Sequence, residues 1–365
     1  MARKINFLDI SVYDRGIASV DAERATTAHS IGYLDHLDDR INCYAVRFGA
    51  KRDAWRNWRI FTYSLSGLLQ FCGHMRSIRP DFVLFHSFRF PIRFLLLKWL
   101  LPDTKFIVQH HAGNPSPNAM KRAVQSFCYA KSDHFNFVTR HQAGMFYRAG
   151  IIRDDAQILE TMVGSTAFRL LDKEQCRTEL ALPASVFTII WVGHLNNNKD
   201  PMTLMRALAS VHEAGLSFRL LMFYGQDALL WEARAFAQAR GFAQSVSFKG
   251  QVENGALEKW LNASDCYVSC SHSEGSGIAL AEALACGCLP VVTRIPSFNS
   301  MTPRPDLQFA VGDDRGLYAG LRSAMETHFD QRHANRKFFE ERLSFEAIAR
   351  SVSAWVIRDR ADDKS

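Results

Sequence analysis

Short apolar runs alternate along this chain with longer segments in which apolar residues return every three or four positions. The runs predict strands at 5–10, 42–48, 82–86, 106–110, 135–138 and 157–160, and a second series at 187–192, 218–223, 246–248, 266–269, 289–292 and 309–311. The intervening segments 22–35, 62–78, 120–130, 201–214, 231–240 and 277–286 have helical spacing. Strands that are apolar throughout are buried on both faces, as in parallel sheets covered by helices. The expectation is therefore an α/β chain with two successive parallel sheets. The break falls in 164–183, which holds Gly164, a charged run and Pro183. It divides the chain into 1–170 and 171–344. Residues 345–360 read as one long helix, so 345–365 is expected to return to the first domain.

Composition narrows the class. The 365 residues are 47% apolar and 22% charged, which fits a globular chain and excludes a disordered one. With 21 glycines and 11 prolines, collagen-like and linker-dominated architectures are excluded as well. No window approaches the ~18 apolar residues of a membrane span. The opening residues have too broken an apolar run for a signal peptide. The eight cysteines show no metal-ligand spacing with histidines and read as buried thiols of a reducing compartment, so the cytoplasm is expected. Charge is uneven: residues 1–150 hold 21 Lys/Arg against 11 Asp/Glu, whereas the rest holds 23 against 26. A basic first half suggests an anionic partner there. The candidates are a phosphorylated acceptor or an anionic membrane surface, met peripherally at its inner face. The stretch 90–101, apolar with Arg93 and Lys98, is the candidate contact or else a core helix. No nucleic acid is expected.

Candidate chemistry concentrates after position 190. In 271–292 a strand ends, a polar loop carries Glu274, Gly275, Ser276 and Gly277, and a helix begins that contains Ile278 and Glu282. Glycines at a helix start let an anion approach backbone N–H groups, where the helix dipole favours negative charge. Glu282 lies among alanines one turn in, so its carboxylate needs a partner. A carboxylate can accept hydrogen bonds from two vicinal hydroxyls, which suits a ribose. Upstream, a strand runs into Gly193 and His194, and a helix opens at Pro201 with Lys199 and the cap residue Asp200 before it.

This pattern resembles the Glu-x7-Glu signature of retaining glycosyltransferases of family 4. The Ala-Cys-Gly turn at 285–287 and the Pro-Val-Val strand at 290–292 extend the likeness. The resemblance implies the GT-B fold, two Rossmann-like doubly wound domains facing across a cleft. It implies that Glu282 holds the donor ribose, that Glu274 meets the donor sugar, and that Lys199 and the amides near Gly275 and Gly277 face the diphosphate. Ser276 stands where the family more often has an aromatic residue. His194 stands where the family has arginine and would be a weaker, pH-dependent cation. Gly225 ends a strand of the family type, and Val252 falls where the family meets the nucleobase. In the first half the family places a histidine facing the donor sugar, here His110 or His111. His111 is the better candidate as the residue closing the strand, and His110 then belongs to the acceptor side. Gly16 occupies the place of the family's acceptor loop but lacks its Gly-Gly partner.

No dinucleotide fingerprint, Walker motif, Gly-x-Ser-x-Gly or zinc spacing competes. The family is metal-independent, so neither metal nor cofactor is expected beyond the nucleotide-diphosphate sugar itself. The expected activity is transfer of a hexose, with retention, to a glycan or lipid-linked acceptor in cell-surface polysaccharide or glycoconjugate synthesis. His194 and the missing Gly-Gly leave another reading open: a GT-B protein that binds nucleotide sugars without transferring them, or an epimerase or phosphorylase.

Overall fold

The computed structural model describes residues 3–14, 16, 19–111, 113–132, 134–326 and 331–362. Two units emerge, 1–165 with 345–365, and 166–344. The division lies between Ser165 and Thr166 rather than at 170. Hydrogen bonding explains the difference: the Ser165 N–H donates to His29 O, whereas Arg169 N–H donates to Glu258.

In the first unit the strands are β1 (Ile5–Asp14), β2 (Ile41–Phe48), β3 (Asp53–Trp55), β4 (Trp58–Phe61), β5 (Phe82–His86), β6 (Lys105–Gln109), β7 (His134–Phe137) and β8 (Gln157–Glu160). They form one eight-stranded sheet in the order β3-β4-β2-β1-β5-β6-β7-β8, parallel except for the antiparallel β3–β4 pair. The chain order reverses about β1, and the carboxyl ends of strands beside such a switch point are where open sheets bind ligands. Every residue of β5 is buried, as an apolar run without alternation requires. The helix Phe345–Asp362 packs on this unit: Trp355 meets Phe82 edge-on at 6.0 Å, and Asp359 accepts from Lys105 at 2.5 Å. Its first residue explains Gly32, where a Cβ would lie 2.6 Å from the Phe345 ring.

The second unit has a five-stranded parallel sheet in the order β11-β10-β9-β12-β13. Its strands are β9 (Phe187–Gly193), β10 (Phe218–Tyr224), β11 (Val246–Gly250), β12 (Cys266–Ser269) and β13 (Leu289–Val292). The switch point lies at β9, between β10 and β12.

The segment expected as a strand at 309–311 does not form one. Only Phe309 makes an isolated bridge, to Thr293, before the chain turns at Gly312. The β3–β4 hairpin escapes the sequence pattern because its strands are only three and four residues long and polar residues break the apolar run, around Arg56 at φ +49°. The strand expected at 106–110 ends at Gln109.

Candidate functional site

In the second unit the loops after β9 and β12 meet because those strands are neighbours at the switch point. Asn198 joins them: its Nδ2 donates to Ser273 O at 3.1 Å, its Oδ1 accepts from Ser273 Oγ at 2.9 Å, and its carbonyl accepts from His272 N–H at 2.8 Å. Asp200 caps the Pro201–Glu213 helix through Thr203 N–H and also accepts from His272 Nε2 at 3.1 Å. Burial alone would raise the Asp200 carboxyl, but hydrogen bonds from Thr203 and His272 hold it below its ordinary value.

Lys199 and Glu274 form an ion pair inside this joined structure, at 21% and 15% side-chain exposure. Ser271 Oγ donates to the same carboxylate at 2.6 Å. An incoming anion would compete with Glu274 for an ammonium already in place. Gly193 permits the approach, since a Cβ there would lie 3.4 Å from Lys199 Cδ and 3.2 Å from the Trp191 ring. Gly277 starts the Ile278–Ala285 helix at φ +59°, against Phe298 and Met301. The amides at this start lie outside the intrahelical ladder. Gly275, Ser276 and Ile278 flank it, each half-buried.

Glu282 lies one turn further in and is only 9% exposed. Its carboxylate makes no hydrogen bond or ion pair among the described residues, and burial pushes its pKa up to about 7. Arg336 and Arg332 donate to the carbonyls of Ala285 and Cys286 at the far end of this helix, so the guanidinium groups serve the helix end and not the acid. The exposed His194 ring covers Gly225, where a Cβ would meet it at 3.2 Å. Val252 is half-buried just past β11.

The remaining candidates lie in the first unit. His110 is buried, stacks on Phe137 at 5.0 Å and pairs through Nε2 with Gly113 O at 2.9 Å; its Nδ1 has no partner. Burial lowers its pKa, only partly offset by that bond. His111 is half-buried and takes a different path: its Nε2 lies 2.9 Å from His86 Nδ1, with the rings stacked at 5.0 Å. Gly16 is exposed at φ +66°; Arg15 and Ala112, in the same two motifs, lie outside the described residues.

Behind His111 is a charged cluster that sequence reasoning missed. His86 Nε2 donates to Asp9 Oδ2 at 2.8 Å, Tyr33 Oη to the same oxygen at 3.2 Å, and Arg47 to Asp9 Oδ1 at 2.5 Å. Arg47 Nε also lies 3.3 Å from Glu23. Asp9 is fully buried, which alone would raise its pKa, but His86 and Arg47 outweigh that and hold it well below the carboxylate range. The cluster floors a polar cavity of about 210 Å³ whose wall includes Ser11, Tyr13, Thr27, Ser30 and His111. The available signal was a charge inside each of two strands expected to be buried, Asp9 in 5–10 and Arg47 in 42–48. Among the described residues no group of three or more His, Cys, Asp or Glu converges as a metal-ligand set.

Comparison with known proteins bears on both units. The chain superposes over 98% of its length on the whole of a sucrose-phosphate synthase from Thermosynechococcus elongatus, with a TM-score of 0.71 and 14% identity. It superposes over 97% on the whole of Anabaena HepE in complex with UDP and glucose, with a TM-score of 0.71 and 13% identity. These likenesses show the fold, which is GT-B. In sequence, 127 residues are 32% identical to a D-inositol 3-phosphate glycosyltransferase of Thermomonospora curvata, covering 33% of this chain and 29% of that protein. A further 30% identity over 186 residues links it to the D-inositol 3-phosphate glycosyltransferase of Segniliparus rotundus, covering 49% and 41%. The chain thus spans less than half the length of these relatives. Residues 172–326, which contain both joined loops and Glu282, match the family model of glycosyl transferases group 1.

Proposed function

We propose that this chain is a retaining, metal-independent hexosyltransferase. It moves a hexose from a nucleotide-diphosphate sugar to a glycan or lipid-linked acceptor, in cell-surface polysaccharide or glycoconjugate synthesis. The observation that carries the reading is Glu282, a buried carboxylate without a partner, one turn behind the start of a helix opened by a glycine loop. An unpaired buried acid is costly, and a ligand with two hydroxyls and an anionic end supplies what both places lack. The family-model match covers this same segment, and the Anabaena neighbour was solved with UDP and glucose.

In this reading Glu282 accepts from the ribose hydroxyls, and Val252 and Gly225 lie on the nucleotide side. As the bond from the anomeric carbon to the diphosphate oxygen breaks, negative charge grows on the diphosphate. Lys199 and the amides of Gly275, Ser276, Gly277 and Ile278 stabilise that charge, with preorganisation as the catalytic resource. His194, whose ring covers Gly225, lies on the diphosphate side of this reading. Glu274, released by Lys199, accepts from the sugar hydroxyls. In the first unit His111, held by His86 and Asp9, is the proposed contact for the sugar, and His110 and Gly16 belong to the acceptor side.

The test is a thermal-shift panel of UDP-, GDP- and ADP-sugars. A donor at one hundred times its Kd stabilises by about 2.7 kcal/mol. A transfer assay with the donor so identified, read by the anomeric configuration of the product, follows. Glu282→Ala should abolish the preference for a ribose over a 2′-deoxyribose donor. A variant that keeps the full preference would show that Glu282 is only an internal acid of its helix.

A further inference from the structure

The helices Pro91–Leu100 and Ala119–Tyr129 pack side by side in the first unit. Each buries one face: Phe94 and Leu97 on the first, Cys128 and Tyr129 on the second. Each also carries a second apolar stripe that points away from the core. Ile92, Leu96 and Trp99 are 63%, 61% and 84% exposed; Met120, Val124 and Phe127 are 78%, 38% and 67% exposed. Both stripes have the spacing i, i+4, i+7, which places each on a single helix face. Six of the thirteen exposed large apolar side chains among the described residues therefore lie on these two helices. Two exposed apolar stripes on neighbouring helices mark an interaction site rather than scattered surface residues.

The surroundings identify the partner. Ile92, Met120 and Val124 share the wall of one cavity, about 1150 Å³, with Arg89, Arg93 and Lys121. Residues 89–131 contain seven Lys/Arg and a single acid, Asp103. A second copy of the chain, docking by two-fold symmetry, would set this basic face against itself. An anionic bilayer meets both requirements: headgroups neutralise the basic side chains, and the acyl boundary takes the apolar stripes, with tryptophan at the polar–apolar border. Among the described residues no helix is long and apolar enough to cross a membrane, so the contact is one of lying on the surface.

We infer that the paired helices Pro91–Leu100 and Ala119–Tyr129 form a docking face for anionic lipid bilayers, with Ile92, Leu96, Trp99, Met120, Val124 and Phe127 inserted and Arg89 and Lys121 at the headgroups. The cavity wall also includes His110 and His111, so this face adjoins the residues proposed as acceptor and sugar contacts. The inference itself rests on the exposed stripes and their basic surroundings, and its test needs no transfer activity.

Flotation of the full chain with vesicles tests it. The chain should float with vesicles of mixed phosphatidylcholine and phosphatidylglycerol, float less with phosphatidylcholine alone, and be released by salt. L96S/W99S should lower partitioning about tenfold or more. R89Q/K121Q should cost about fivefold per charge on the mixed vesicles and little on the neutral ones. Trp231→Ser, an equally exposed tryptophan of the second unit, should leave flotation unchanged. Should L96S/W99S fail to fold, as judged by its melting curve, W99F carries the test: it should still float but lose much of the quenching by bromine-labelled lipid. Failure of the wild type to float with the mixed vesicles would overturn the inference. So would normal flotation of a folded L96S/W99S, or a dimer in sedimentation that L96S/W99S dissociates.

Discussion

Glu282 offers the sharpest test, because its environment makes a quantitative statement about protons. Its pKa is pushed from 4.5 up to about 7 by burial. A displacement of that size corresponds to about 3 kcal/mol against the charged form. The sign follows from linkage. From about pH 4.5 to 7 the unfolded chain has released this proton while the folded chain keeps it, so stability falls as pH rises through that window and levels off above it. Glu282→Gln, with a neutral side chain of the same shape, should lack this slope. The stability difference between variant and wild type should therefore move by about 3 kcal/mol in the variant's favour between pH 4.5 and 8.

Donor binding should read the same proton in reverse. If the ribose hydroxyls donate to the carboxylate, binding favours its ionised form. Affinity should then rise with pH and flatten above about 7, and at pH 6 should be roughly tenfold below the plateau. The phosphates of a nucleotide-diphosphate sugar are both esterified and keep their charge throughout this range. Calorimetric titration in buffers of different ionisation enthalpy counts the protons directly. At pH 6 the wild type should release nearly one per donor bound, and Glu282→Gln none from this source. Equal proton release by the two proteins, or parallel pH–stability curves, would refute the reasoning.

Lys199→Ala should leave the fold intact, since its partner Glu274 still accepts from Ser271, and should lower turnover by about 10²–10³; near-normal turnover would make Lys199 a loop residue only. Gly277→Ala places a Cβ 3.0 Å from Phe298 at φ +59° and should cost about 1–3 kcal/mol in a melt, with donor binding impaired at that helix start. Asp9→Asn takes the carboxylate away from Arg47 and His86, leaving Glu23 as the one acid beside Arg47 among the described residues, and should destabilise by about 3–5 kcal/mol. Because the Asp9 carboxyl is held below its ordinary value of 3.8, its contribution is full above that pH and is lost as pH falls toward the folded value, so the variant's deficit should shrink in strong acid.

What could be seen in the sequence was whatever depends on neighbours along the chain. The parallel sheets were legible because strands such as β5 and β12 read as apolar runs without alternation, and both are buried at every position, as strands covered on both faces are. The Glu274–Glu282 segment was legible because its glycines, its acids and the start of its helix lie within nine residues. The stripe on Pro91–Leu100 was half-legible: an apolar run with two cations reads as a core helix or as a contact, and only packing reveals that Trp99, like Phe127 on the neighbouring helix, is left outside. The Asp9 cluster was illegible as a cluster, since Arg47 and His86 lie 38 and 77 positions from Asp9. Yet each half of it broke a local rule, because a charge in a strand buried on both faces must be answered from a neighbouring strand. Once β1 is set between β2 and β5, Arg47 reaches Asp9 from one side and His86 from the other. Strand order was the missing information, and a charge that violates an otherwise apolar run is the residue that asks for it.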